Sequence, residues 1–252
     1  MPVSSFGSAE EIDRRGCADG LDGRPTLSAT NTSFHTATLE HLVPGPPAEM
    51  SAVAYNLEYT RPLVTALVEQ NPHDRTVTEV VPLHDRELVR VDISGRHPED
   101  PNRRVCVIGI SDEDDRARQA AVGAWFDYHA SVLFARTLGE AGSFKLSIDY
   151  RVPGVPAPGA ETVGVACDVE YLRPLVETAV ARNLPTHDEC HVAESGKLML
   201  MRVDLYGRDP MDSNRHVCVG GIADRHYRAM AAAEQAWAAY HASRLFAAGA
   251  LA

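Results

Sequence analysis

Val91-Asp92, Gly95-Arg96, Asp100, Asn102-Arg103, Val105-Cys106-Val107, Gly109-Ile110 and Asp112 form the stretch whose reading decides the fold, because the chain contains it twice. Val203-Asp204, Gly207-Arg208, Asp212, Asn214-Arg215, Val217-Cys218-Val219, Gly221-Ile222 and Asp224 repeat it 112 residues later. The match continues downstream, where Arg116-Ala117, Trp125, Tyr128-His129-Ala130-Ser131 and Leu133-Phe134-Ala135 recur as Arg228-Ala229, Trp237, Tyr240-His241-Ala242-Ser243 and Leu245-Phe246-Ala247. It also extends upstream: Glu58-Tyr59, Arg61-Pro62-Leu63-Val64 and Asn71 match Glu170-Tyr171, Arg173-Pro174-Leu175-Val176 and Asn183. Self-similarity at one fixed offset predicts a tandem duplication, with each copy a similar folded unit.

Each copy reads as α+β. Val53, Tyr55, Leu57 and Tyr59 alternate with polar or small residues, as do Leu146, Ile148 and Tyr150, which predicts strands. Pro44-Gly45-Pro46-Pro47 and Val152-Pro153-Gly154 read as turns, so a strand hairpin is expected to open each copy. Pro62 and Pro174 suit the first turn of a short helix, where a missing N–H costs nothing. That helix stops near Asn71 and Asn183. Strands are expected around Val77–Val81, Leu88–Ile93 and Val105–Ile110. Asp112 and Asp224 are good N-cap residues for a long last helix, whose stripe is Ala117, Ala121, Trp125 and Tyr128 in one copy and Ala229, Ala233, Trp237 and Tyr240 in the other. The expected layout is a mobile leader over 1–32, rich in Ser, Gly, Asp and Glu without periodicity, then a first repeat over 33–139, a linker over 140–142 and a second repeat over 143–252.

The helix–three strands–helix part of each copy resembles, at the level of topology, the fold of double-stranded-RNA-binding domains. The resemblance covers about 80 residues per copy. It implies an antiparallel sheet backed by helices and raises RNA binding as a function. The chain departs from that family where the family grips phosphates. At the helix-starting lysine pair stand Asp112-Glu113-Asp114-Asp115 and Asp224-Arg225-His226-Tyr227-Arg228, and the family's Gly-Pro-x-His loop is absent.

Composition narrows the function classes. The net charge is -11, with a pI near 5.4, which works against sequence-wide attraction to nucleic acid or anionic lipid. Only Lys145 and Lys197 are lysines, so nearly all positive charge is arginine. Five cysteines, an odd number with no CxxC, suggest reduced thiols in an intracellular protein, cytoplasmic or nuclear. No secretory signal pattern opens the chain, and no apolar stretch is long enough to span a bilayer.

Candidate binding residues are those that recur with charge. Arg61 and Arg173 stand at helix starts, where the dipole would help them hold an anionic ligand; the structural alternative is an ion pair with Glu58 or Glu170, or simple solvent exposure. Arg96, Asn102 and Arg103, with Arg208, Asn214 and Arg215, sit in loops that suit a phosphate or carboxylate partner. The alternative there is a tight turn held by Asp100 and Asp212. Tyr128–His129 and Tyr240–His241 suggest acid–base chemistry, and His73-Asp74 and His187-Asp188 an oriented histidine, but no nucleophile motif accompanies them, and Ser131 and Ser243 are mid-helix. No His/Cys spacing suggests a metal, and no cofactor motif occurs. The leading expectation is a non-enzymatic module that binds a protein partner. Nucleic-acid binding is the alternative. A small-molecule-binding protein or enzyme, with its site between the repeats, comes third.

Overall fold

A computed structural model describes residues 34–44, 49–56, 58, 61–83, 86–138, 143–195 and 198–248. The expected leader over 1–32 and linker over 140–142 lie outside the described residues. The fold is α+β, and the described residues form ten strands and four α-helices with mostly antiparallel pairing. Among the described residues no helix is long and apolar enough to cross a membrane.

The opening hairpin does not form. Strand β1 (Phe34–Pro44) pairs antiparallel with β6 (Ser143–Pro153) along its whole length. Strand β2 (Met50–Asn56) instead runs parallel to β10 (His216–Ala223). Alternation tells which face a residue takes and not which strand it pairs with. A two-residue hairpin turn also needs positive φ at its central residues, which Pro46 and Pro47 cannot adopt.

From β2 onward the elements recur at the spacing of the repeated sequence. Helix α1 (Arg61–Gln70), strands β3 (Arg75–Leu83), β4 (Arg86–Arg96) and β5 (Arg104–Ser111) and helix α2 (Asp114–Leu138) come first. They are followed by β7 (Glu161–Asp168), α3 (Arg173–Arg182), β8 (His187–Ser195), β9 (Leu198–Arg208), β10 and α4 (His226–Ala248). One sheet has the order β3-β4-β5-β7 and the other β8-β9-β10-β2. Each central antiparallel meander thus gains a parallel fourth strand: β7 lies beside β5, and β2 beside β10. The pairing is two-fold symmetric. Leu39 and Ile148 are cross-strand partners at the centre of the β1–β6 ribbon.

Both faces of each sheet are covered, which explains why β5 and β10 read as unbroken apolar runs rather than alternating ones. On one face α2 packs Ala117, Ala121, Trp125 and Tyr128 against Val91, Ile93, Val105 and Val107, and α4 does the same with Ala229, Ala233, Trp237 and Tyr240. Both tryptophans are buried. The helices lie so close that a Cβ on Gly109 would stand 2.1 Å from the Ala117 carbonyl oxygen, and one on Gly221 2.1 Å from that of Ala229. The other face packs on the β1–β6 ribbon through Leu88, Ile108 and Val152 in one sheet and Leu200, Ile222 and Val43 in the other.

A buried ion pair ties each sheet to the ribbon. Arg90 grips Asp92 through Nε and Nη2, both at 2.7 Å, and donates from Nη1 to the Pro153 carbonyl at 2.7 Å. Arg202 grips Asp204 at 2.7 and 2.6 Å and donates to the Pro44 carbonyl at 2.6 Å. Gly154 holds φ at 86°, and a Cβ there would meet Arg90 Nη1 at 2.8 Å, so the turn after β6 needs glycine twice over.

Candidate functional site: a chamber between the two sheets

The arginines nominated by the sequence do not converge on one site. Arg61 and Arg173 are exposed at the starts of α1 and α3. Arg173 approaches Asp168 at 3.4 Å. The ion pairs expected with Glu58 and Glu170 do not form. Glu58 pairs with Arg228 and Glu170 with Arg116, which pins the ends of β2 and β7 to the long helices. Asp112 completes the second clamp by accepting from Arg116 at 2.7 Å and from the Glu170 N–H at 3.2 Å.

The loop residues form turns. Asp100 accepts the Asn102 N–H at 3.0 Å, and Asp212 accepts that of Asn214 at 3.0 Å. Arg96 is the exposed last residue of β4, and Arg208 donates to the Ser213 carbonyl at 2.7 Å. Arg103 does not pair with Asp100. It reaches Glu161 on β7 at 2.7 Å. Arg215 lies 3.9 Å from the buried carboxylate of Asp209, which accepts from Tyr240 Oη at 2.7 Å and pairs with the Arg244 guanidinium, whose Nε lies 2.9 Å away.

The histidine candidates are structural. His129 and His241 are fully buried, each with Nδ1 on the tryptophan carbonyl one turn back, at 2.8 and 2.9 Å. An Nδ1–H must donate to that carbonyl, and burial lowers both pKa values, so the rings are neutral. Tyr128 and Tyr240 are buried as well, not at the core's edge. Asp74 is held by Arg104 in a two-point pair at 2.9 and 2.5 Å, so it does not orient His73. His187 stacks flat on Tyr206, with ring centroids 4.4 Å apart. Ser131 and Ser243 donate to the carbonyls three residues back. Among the described residues no group of three His, Cys, Asp or Glu side chains could hold a metal.

Of the candidate functional residues the sequence singled out, the concave site takes in only Tyr128 and Ser243. A chamber of about 220 Å³ opens between α2 and α4, walled by β2 and β7 and closed by the ribbon pair Leu39 and Ile148. Three apolar wall positions match across the two-fold: Val53 with Val165, Ala54 with Ala166, and Ala124 with Ala236. Recesses of about 370 and 380 Å³ adjoin it on either side. The first shares His41, Tyr128 and Val163 with the chamber and carries Arg103, Lys145, Glu40 and Glu161. The second shares Ile148, Tyr150 and Ser243 and carries Arg215, Arg244 and Asp149. Arg103 and Arg215, nominated as loop residues, therefore stand at equivalent mouths. A third recess of about 490 Å³ between α3 and α4 includes Arg173 and shares Cys167 with the chamber.

Besides Tyr128, five titratable groups face the chamber, and burial perturbs all six. His41 is pushed down to about 4, which keeps its imidazole neutral, and its Nδ1 has no hydrogen-bond partner among the described residues. The Tyr55 and Tyr150 phenols are raised above their ordinary range. Tyr55 donates to the Leu42 carbonyl at 3.2 Å. The Cys167 thiol is pushed up to about 12 and is not a thiolate at neutral pH, and the Asp127 carboxyl is pushed up to about 6. Asp127 and Cys167 are both exposed to solvent, although neighbouring protein atoms crowd them. Sequence reading missed these residues because they belong to different elements and carry no local motif.

Comparison with protein-family models, curated proteins and solved structures returns no match.

Proposed function

We propose that this is a binding protein that holds a small, largely apolar molecule in the chamber between two duplicated units. The duplication reading is supported by the shared spacing of sequence and elements, and by buried Arg–Asp pairs at the same two places, Arg90–Asp92 and Arg202–Asp204. The observation that carries the binding reading is the chamber itself. Ligand sites are concave, mostly apolar and furnished with a few polar groups of perturbed pKa. A chamber walled by alanines and valines, with His41, Tyr55, Asp127, Tyr150 and Cys167 facing in, has that composition.

Filling the chamber tests this. Ala239 lines it and has accessible surface there. Ala239→Phe should abolish saturable uptake of neutral probes such as benzyl alcohol and cyclohexanol, measured by calorimetric titration, while leaving the melting temperature close to that of the wild type. If the wild type takes up neither these probes nor any small molecule that co-purifies with it, the reading fails.

A second reading rests on a separate observation. β3 and β8 are the outer edges of the two sheets, and each presents an exposed valine, Val80 at 61% and Val192 at 54%. Open strand edges suit a protein partner that adds a strand. The acidic balance and the number of arginines already in ion pairs give nucleic-acid binding less support, including binding of the kind implied by the double-stranded-RNA-binding-domain resemblance.

A further inference from the structure

We propose that the chamber selects a ligand carrying a protonated amine on an apolar body, with Asp127 as its counter-ion. The inference rests on the ligand-binding reading above and names the ligand's chemistry. Asp127 lines the chamber from α2, and no hydrogen-bond or ion-pair partner for it occurs among the described residues. Among the described residues no lysine or arginine lines the chamber with it. The other titratable groups that face it are His41 from β1, Tyr55 from β2, Tyr128 from α2, Tyr150 from β6 and Cys167 from β7; α4 contributes Gln235 and Ser243. His41 is neutral, so it supplies no positive charge at neutral pH. Asp127 is solvent-exposed in the unliganded chamber, so a ligand that displaces that water has to supply the carboxylate's partner, because leaving the charge unpaired among apolar walls is costly. Burial alone raises its pKa, as expected for an acid with no partner.

The chain's internal periodicity adds an independent argument. Positions with framework duties carry the same residue in both halves, as Trp125 and Trp237 do. Tyr128 and Ser243 also recur, as Tyr240 and Ser131, but three polar chamber positions do not: Asp127 faces Ala239 across the two-fold, Tyr55 faces Cys167, and His41 faces Tyr150. The frame is symmetric while the polar equipment is one-sided. A single carboxylate on one wall gives a polar head one place to go and fixes the ligand's orientation.

Benzylamine, benzyl alcohol and benzoate share one ring and differ in the charge of the head, so calorimetric titration of the full chain with each separates the possibilities. At pH 7.5 benzylamine should bind roughly tenfold or more tightly than benzyl alcohol, the ratio expected of a hydrogen bond to a charged group, and benzoate weakest. Asp127→Asn should bring the benzylamine affinity down to that of benzyl alcohol. Benzylamine affinity should also fall as the pH drops below about 6, where Asp127 takes a proton, while benzyl alcohol affinity stays level. Equal affinity for amine and alcohol in the wild type, or an amine preference that survives Asp127→Asn, overturns the inference and leaves the ligand-binding reading standing. Failure of all three probes to bind overturns the inference, and the reading falls with it if the wild type also takes up neither cyclohexanol nor any co-purifying small molecule.

Discussion

The buried pairs Arg90–Asp92 and Arg202–Asp204 make the architecture testable at single residues. Arg90→Met keeps much of the side chain's volume but removes both bonds to Asp92 and the bond to the Pro153 carbonyl. The Arg90 side chain is 0% exposed and that of Asp92 9%, so water cannot take the guanidinium's place. Removing one partner of a buried pair costs about 3–5 kcal/mol. A carbonyl left without a donor adds roughly 1–3 kcal/mol. Against a typical domain stability of about 5–15 kcal/mol, Arg90→Met should leave the protein barely folded at 25 °C. Arg90→Met/Asp92→Leu removes the stranded charge and should recover most of the loss, because replacing both members of such a pair by apolar groups is near neutral. Urea unfolding at pH 7, comparing midpoints at constant slope, reads these differences directly. Since Arg90 reaches across to β6, amide exchange in the β1–β6 ribbon should quicken in the single variant before exchange in the β3–β4–β5 meander does. A single variant that loses less than about 1 kcal/mol would refute the reasoning. So would a double variant no more stable than the single.

Three further outcomes follow from the same geometry. Gly109→Ala should cost roughly 3 kcal/mol or abolish folding, since its Cβ would press on the backbone of α2; thermal melts of this variant and of Gly123→Ala, where a Cβ meets nothing within 4 Å, provide the contrast. Asp127→Asn should stabilise the unliganded protein above about pH 6 and change little below about pH 4, because a carboxyl whose folded pKa is raised from 3.8 to about 6 loses stability as pH rises through that window; a pH series of urea midpoints checks the sign. Arg103→Glu should cost about 1 kcal/mol by setting a carboxylate against Glu161, whereas Arg96→Glu should stay within about 0.5 kcal/mol of wild type; equal effects on the melting temperature would contradict the placement of the two arginines.

Much of the frame was legible in the sequence. The 112-residue spacing located equivalent elements, and Trp125 and Trp237 fell in the core because apolar stripes at helical spacing must be buried somewhere. The strand partners were not legible. Alternation in β1 and β2 assigns residues to faces, and the prolines between them argue against a tight hairpin, but neither names a partner 109 or 168 residues away. The Arg90–Asp92 spacing puts two side chains on one face of a strand, yet an arginine in a strand ordinarily faces water. Its burial depends on the ribbon that covers the sheet. Asp127 was hidden for a similar reason: on a helix wheel it reads as a solvent-side charge, and it becomes a chamber group only because α4 and the β7 edge stand opposite.

A repeated sequence shows what two halves must share, and here that is the scaffold: glycines where helices approach, paired Arg and Asp under the ribbon, and a tryptophan–histidine turn in each long helix. Identity at those positions is what steric and electrostatic demands at two equivalent places produce. The chamber lies on the two-fold, so every wall position occurs twice with the same backbone and different neighbours. Equal residues there would make a symmetric cavity, indifferent to which way round a ligand enters. Tyr55 opposite Cys167, His41 opposite Tyr150 and Asp127 opposite Ala239 remove that indifference. Structural need alone does not account for the change, because the apolar wall positions beside them, Ala54 with Ala166 and Ala124 with Ala236, are kept on both sides. Departures from the repeat also occur far from the cavity, as where Val77-Thr78-Glu79 stands against Glu189-Cys190-His191, so on the proposed reading it is the chamber's concave shape together with its unequal polar residues that directs experiment there before the loops.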